Sequence, residues 1–229
     1  MFSDQIIYED NHVIVINKRA SDIVQGDKTG DKTLPDDIKE YLKVKYDKPG
    51  NVFCGVVHRL DRPTSGAVVF ARTSKALERL NGQFRDKETN KVYWAIVENL
   101  PEKTEGNLVH FLKKNESQNK SYVSKASVIG AKEAKLHYKL IASSDRYHLL
   151  EIQLETGRHH QIRAQLASIG CHIKGDLKYG AKRPNEDGSI SLHARTLSFL
   201  HPTTKELMKF TAPCPKDTIW QFFEKTIQS

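Results

Sequence analysis

His58-Arg59-Leu60-Asp61-Arg62-Pro63-Thr64-Ser65-Gly66, followed at once by Ala67-Val68-Val69-Phe70-Ala71, is the stretch from which the rest of the chain can be read. Pro63 fixes its own φ, and Ser65 and Gly66 suit tight turns, so residues 58–66 read as a loop of defined shape. An apolar, β-branched run lies on each side. The pattern predicts strands near Phe53–Val57 and at Ala67–Ala71. Asp61 sits between Arg59 and Arg62 on that loop, and loops held by a rigid scaffold are where reactive groups are usually placed. Turn chemistry alone leaves two roles open for Asp61: a turn aspartate that bonds its own backbone, or a functional carboxylate.

Upstream, Ile6-Ile7-Tyr8 and Val13-Ile14-Val15-Ile16 predict two strands joined by a turn at Glu9-Asp10-Asn11. Residues 22–33 are polar and carry Gly26 and Gly30, which predicts an exposed loop. Leu34, Ile38, Tyr41 and Leu42 recur as the stripe of a helix that ends before Pro49-Gly50. Downstream, Ser74 is expected to cap a helix with the face Leu77, Leu80 and Phe84. Val92–Val97 reads as a strand, and residues 106–154 as short strands separated by turns. Gln161–Ile169 reads as a short helix with Gly170 just past its end. Two strands near 190–199 and 206–211 and a terminal helix over Thr218–Ile227 complete the pattern. Neighbouring strands joined by short turns, with helices interspersed, predict an α+β fold: a mixed, largely antiparallel sheet flanked by helices and loops. Neither a repeat nor a linker splits the chain, so residues 1–229 read as one domain.

The 229 residues hold 36 Lys and Arg against 28 Asp and Glu, a net charge of +8. That balance suits a polyanionic partner, because each neutralised phosphate releases counterions. It suits a merely basic surface as well. The three cysteines, Cys54, Cys171 and Cys214, are far apart, which argues against a disulfide framework and a cysteine-based zinc site. Met1-Phe2-Ser3-Asp4-Gln5 lacks the basic and apolar regions of a signal peptide, and the apolar runs are too short to span a bilayer. The expectation is a cytoplasmic monomer with no membrane contact. No phosphate-binding glycine motif is present, and no nucleotide cofactor is expected.

Glu155-Thr156-Gly157-Arg158-His159-His160-Gln161-Ile162-Arg163 is the second informative stretch. Thr156 or Gly157 is expected to open the helix, with Arg158 near its start and Arg163 one turn on. A cation at a helix N-terminus opposes the macrodipole and needs a partner, either a phosphate or a carboxylate such as Glu155 or Glu151. Adjacent histidines on a helix point ~100° apart, so His159 and His160 make a poor metal pair, and no metal is expected.

Several spaced motifs together resemble the RluA family of RNA pseudouridine synthases. They are His58-Arg59-Leu60-Asp61 with Thr64-Ser65-Gly66; Lys91-Val92-Tyr93-Trp94-Ala95-Ile96-Val97; and Thr156-Gly157-Arg158-His159-His160-Gln161-Ile162-Arg163. Gly175-Asp176 with Tyr179-Gly180, Leu192-His193-Ala194, His201-Pro202, Ile7-Tyr8-Glu9-Asp10 and Asn17-Lys18 continue the match. They cover nearly the whole chain in order. Two departures fall at turns. Arg19-Ala20-Ser21 replace the family's Pro, small residue and Gly after Asn-Lys, and Asn99 stands where Gly is common. A third is that few residues precede the first strand, leaving no room here for the S4 domain that many relatives carry.

The resemblance implies isomerisation of uridine to pseudouridine in transfer or ribosomal RNA, without cofactor or metal. It makes Asp61 the required carboxylate and Arg163 the arginine paired with it. Tyr93 becomes the ring beside the target base, and Leu192 the packing on its other side. Arg59 would fill the space left by a flipped uridine, a step that costs a few kcal/mol, and Arg62 and Arg158 would contact phosphate. Two other classes stand beside it: a nucleoside-bond hydrolase using Asp61 and Glu155, and a catalytically silent RNA-binding module.

Overall fold

Short β-branched runs become strands, and runs with apolar residues every three to four positions become helices. The computed structural model describes residues 2–26 and 30–228. In chain order its elements are β1 (Ile6–Glu9), β2 (Val13–Lys18), α1 (Leu34–Lys45), β3 (Gly55–Val56), β4 (Ser65–Ala71), α2 (Ser74–Arg85), β5 (Asn90–Val97) and β6 (Glu105–Asn115). Then follow β7 (Lys120–Ser124), β8 (Lys132–Ser143), β9 (His148–Leu154), α3 (Gln161–Ser168), β10 (Leu192–Leu200), β11 (Leu207–Thr211) and α4 (Thr218–Gln228). The α+β class expected from the pattern is the class observed. The chain divides into two compact units, Met1–Asn90 with Ala194–Pro213, and Lys91–His193 with Cys214–Ser229.

In the first unit the strand order is β1-β2-β4-β10, with β3 also on β4 and β11 on β10. The pairings β1–β2, β2–β4, β3–β4 and β10–β11 are antiparallel. Every residue of β4 is buried, as a continuous apolar run predicts for a strand covered on both faces. Val13, Val15, Val69 and Phe199 pack with Leu80 of α2 on one side. Helix α1 buries Leu34, Ile38 and Leu42 and is pinned to β1 by Glu9. That carboxylate accepts from Tyr41 Oη (3.0 Å), Lys45 Nζ (2.8 Å), Tyr46 Oη (2.6 Å) and Arg72 (3.0 Å). The β1–β2 turn is built on Asp10, whose Oδ1 accepts from His12 N and Val13 N at 2.7 and 2.8 Å.

Three expectations change here. Thr73, not Ser74, caps α2; its Oγ1 accepts from Ala76 N at 3.1 Å, and Ser74 is the first helical residue. The strand expected over 53–57 shortens to two residues. The polar segment 22–33 is not wholly exposed, because Ile23 and Val24 are buried; its residues 27–29 lie outside the described ones.

In the second unit the order is β5-β9-β8-β6-β7, antiparallel throughout. β6 and β8 run to 11 and 12 residues, longer than the short strands expected there. Successive residues of a strand face opposite ways. Trp94, Ile96 and Leu149 pack with Trp220 and Phe223 of α4. On the opposite face Leu112 and Ala134 pack with Ala164 of α3. Tyr93 shares this second face, in register with Ile152 and through it with Tyr138. Asp217 starts α4 by accepting from Ile219 N and Trp220 N, both at 3.0 Å.

Candidate active site

In the first unit the Asp61 loop is tighter than the sequence suggested. Thr64 N donates to Asp61 O at 3.0 Å, so the turn is Asp61-Arg62-Pro63-Thr64. Ser65 and Gly66 belong to β4 rather than to the loop. Gly66 has φ +118°, and a Cβ there would lie 2.5 Å from Ala194 N and 2.7 Å from Ala194 C. Glycine is therefore required by backbone approach as well as by φ. His58 is structural: its Nε2 accepts from Val69 N at 3.2 Å, and its ring stacks on Phe84 with centroids 4.6 Å apart. Thr64 Oγ1 is buried with no hydrogen-bond partner among the described residues.

Beneath this turn lies Lys18, at 0% exposure. Its ammonium donates to three carbonyls: Arg19 O (2.9 Å), Arg62 O (3.0 Å) and Thr64 O (2.7 Å). An ammonium has three donors and no acceptor, so the shell is complete. Two of the carbonyls belong to the turn that begins at Asp61. Burial pushes the Lys18 pKa down to about 8, while the charges of Asp22 and Asp61 pull it upward. Ser21 N also donates to Arg62 O at 3.0 Å, tying the segment after β2 to the same turn. Ser21 has φ 78°, a left-handed conformation that favours glycine. The departure from the family pattern thus falls where its glycine has a conformational purpose. Asn99, the other departure, is not among the residues with positive φ, and its Nδ2 donates to Gly170 O at 2.7 Å.

Arg59 is exposed, with Nη1 donating to Gln25 Oε1 at 2.8 Å. Arg62 is exposed and pairs with Asp31 at 3.2 Å. Each interaction lies at the surface, where an ion pair is worth ~0–1 kcal/mol and yields readily to a competing anion.

In the second unit the Thr156–Arg163 motif is a loop that folds around Gln161. Gln161 Oε1 accepts from Thr156 Oγ1 (2.8 Å) and Arg158 N (2.9 Å), while its Nε2 donates to Lys135 O (3.0 Å). Helix α3 opens at Gln161, where the expected range began, with His160 as N-cap at φ 52° in place of the expected Thr156 or Gly157. Arg158 lies before the helix, so the macrodipole argument for its partner fails. Its Nε donates to the carbonyl of Glu133 at 2.9 Å. His159 and His160, expected to diverge, stack with centroids 3.8 Å apart because His160 is left-handed, not helical. Burial, and then the Arg163 charge, push the His160 pKa down to about 2, so the ring is neutral at physiological pH. Glu155 is exposed.

Arg163 is 5% exposed, on the first turn of α3. Asp176, 1% exposed, holds it with two hydrogen bonds, Nε to Oδ2 at 2.7 Å and Nη2 to Oδ1 at 2.8 Å. A bidentate pair fixes the plane of the guanidinium as well as its position. The Arg163 guanidinium also lies 5.0 Å from the centroid of the Tyr179 ring. Tyr179 Oη accepts from Ser121 N (2.8 Å) and bonds His160 Nδ1 (3.0 Å), joining α3 to β7. Gly175 and Gly180 take φ +86° and +98° around this pair. Asp176 and Tyr179 were visible in the sequence as a motif, but their task of fixing Arg163 was not. Tyr93 and Leu192 are buried, at 8% and 4% exposure.

Asp61, Arg59 and Arg62 thus belong to the first unit, and Tyr93, Arg158, Arg163 and Leu192 to the second. Within the second, Tyr93 and the helix that carries Arg163 occupy one face of the sheet. Among the described residues no cluster of three His, Cys, Asp or Glu is placed to hold a metal ion, and no helix is long and apolar enough to cross a membrane.

A family model described as RNA pseudouridylate synthase matches residues 12–168. An "Uncharacterized RNA pseudouridine synthase" of Synechocystis is 34% identical over 214 residues, covering 92% of this chain and 65% of the relative. "Ribosomal large subunit pseudouridine synthase D" of Zymomonas mobilis is 34% identical over 223 residues, covering 93% of this chain and 70% of the relative. The chain thus spans about two thirds of the length of these curated relatives. Among solved structures, human RNA Pseudouridylate Synthase Domain Containing 4 superposes with TM-score 0.80 at 22% identity, covering 99% of this chain and 94% of that one. Human RNA Pseudouridylate Synthase Domain Containing 1 gives 0.71 at 19% identity, covering 98% and 94%. At those identities the likeness is one of fold.

Proposed function

This chain belongs to the RNA pseudouridylate synthase family, and we propose that it isomerises uridine in RNA to pseudouridine with Asp61 as the catalytic carboxylate. The C1′–N1 bond breaks, the base turns, and C1′ joins C5; C5 loses its proton and N1 gains one. Nothing else is added or removed, so the residues of this chain supply position and charge. The observation that carries this reading is the Asp61 turn, closed by Thr64 N and gripped from below by Lys18. A turn whose backbone is held in this way sets the position of Asp61 just ahead of the buried strand β4, which suits a group that must meet a substrate atom in one geometry.

Arg163 is proposed to pair with Asp61 and aim it, and Tyr93 to stack on the target base, with Leu192 on its other side. The bidentate hold of Asp176 suits Arg163 to that task, because a guanidinium fixed in plane can fix a second carboxylate. A uridine within folded RNA must be flipped out; exposed Arg59 is proposed to fill the gap, and Arg62 and Arg158 to contact phosphate. The substrate is proposed to be transfer or ribosomal RNA, and the enzyme to act as a cytoplasmic monomer. The test is tritium release from RNA labelled at uridine C5. Wild type releases tritium, and Asp61→Asn binds the RNA without releasing it. Release by Asp61→Asn at the wild-type rate refutes the assignment.

A further inference from the structure

The positive charge of the second unit is concentrated in one place. Residues 113–139 hold seven lysines against two glutamates, whereas the rest of that unit holds eleven Lys and Arg against eleven Asp and Glu. The stretch is the end of β6, all of β7, the 125–131 loop and the start of β8. Lys114 and Lys135 are paired, with Glu116 (2.5 Å) and Glu133 (3.0 Å). Lys113, Lys120, Lys125 and Lys132 have no carboxylate within 4.0 Å among the described residues. Lys113 reaches across the loop to Ile129 O at 2.8 Å. Lys120 lies 5.1 Å from the centroid of Tyr122, a ring 42% exposed. Lys132 is in register with Leu112, next to Lys113 along β6.

Such a cluster of unpaired lysines repels itself and persists where a polyanion neutralises it. The arm is also tied to the rest of the unit beside the β6–β7 turn. Ser121 N and O both bond Tyr179 Oη, Ser121 Oγ bonds His159 Nδ1 at 2.9 Å, and Asn119 Oδ1 bonds His159 Nε2 at 3.1 Å. It is therefore a charged surface of fixed shape rather than a loose tail, with an exposed ring set among the lysines. A flat ring beside cations suits a base and its phosphate better than an acidic protein side chain.

We propose that the β6–β7–β8 arm, through Lys113, Lys120, Lys125 and Lys132, is a phosphate-binding surface for the backbone of the RNA substrate. The proposal rests on the reading of the chain as an RNA-modifying enzyme. It assigns RNA contacts to residues outside the family motifs, in addition to Arg59, Arg62 and Arg158.

The experiment measures the affinity of a fluorescein-labelled oligouridylate by anisotropy across a KCl series. It compares wild type, a variant with these four lysines changed to Gln, and a charge-matched control. The control changes Lys43, Lys48, Lys75 and Lys87, exposed residues of the first unit, to Gln. For a single strand each lost phosphate contact flattens the slope of log K against log[salt] by ~0.7, so the arm variant is expected to flatten it by roughly 3. Its affinity falls at least tenfold at physiological salt, and the control stays near wild type. Equal slopes for the arm variant and the control overturn the proposal. Circular dichroism checks the fold. Should the fourfold variant not fold, Lys125→Gln and Lys132→Gln singly are each expected to flatten the slope by ~0.7, and no change in either overturns it. Wild-type tritium release is measured separately. Its absence would refute the enzymatic reading and leave the salt result to stand on its own.

Discussion

Lys18 is enclosed by three backbone carbonyls and reached by no solvent, and two of those carbonyls belong to the turn of Asp61. A neutral amine has two donors where the ammonium has three, so deprotonation frees one carbonyl and removes the charge beneath the turn. The folded-state pKa, about 8, lies below the ordinary 10.5. Charging Lys18 therefore opposes folding in full below pH about 8, and that cost fades as pH rises toward 10.5. The stability linked to this group rises with pH while its grip on the turn weakens. Single-turnover rates are expected to fall with one proton lost near pH 8, with no fall in the thermal midpoint between pH 7 and 9. A rate independent of pH up to 9.5 would contradict this role. Ser21 gives a second test at the same scale. It occupies a left-handed conformation at φ 78°, so Ser21→Gly should raise unfolding free energy by about 1 kcal/mol in urea titration. A loss of stability would contradict the strain.

The start of α3 shows what one element gains from another. Arg163 and Asp176 are both buried, and removing one partner of such a pair costs about 3–5 kcal/mol, whereas replacing both by apolar groups is often nearly neutral. Asp176→Asn should therefore lower the thermal midpoint and abolish tritium release. The double variant Arg163→Met with Asp176→Leu should regain most of the stability and none of the activity. Recovery of activity in the double variant would show that Arg163 has no part in the chemistry. The helix also marks where sequence patterning stops. Its apolar period located it to within a residue at the C-terminal end, because Gly170 punctuates it. The expected range also began at the observed first residue, Gln161, but the residue assigned to open the helix was wrong: Thr156 looks like a cap while its hydroxyl is bound to Gln161, five residues on. Apolar periodicity records burial; it does not record a side-chain amide that closes a loop. Ser74 was misassigned for a related reason: Thr73 beside it has equal capping chemistry, and only backbone geometry chooses between them.

Across the whole chain, strand order could not be read from local pattern, because each strand carries its own period but not its partner's identity. The antiparallel character was legible in the short turns; the pairing of β10 with β11 and the central place of β4 were not. The candidate site was legible only as separate motifs. The loop drew notice to Asp61 but left its role open; that role, like those of Tyr93 and Arg163, came from the family pattern, and Lys18 and Asp176 lay within motifs whose task only the hydrogen bonds disclose. Net charge left a polyanionic partner and a merely basic surface both open and gave no location for either; the lysine arm became visible once the strands set residues 113–139 side by side. The fate of the uridine itself distinguishes isomerisation from hydrolysis. RNA incubated with the enzyme, digested to nucleosides and separated, should show one pseudouridine for each uridine lost, no free uracil, and no change with Asp61→Asn. Free uracil, or pseudouridine formed by Asp61→Asn at the wild-type rate, would contradict it.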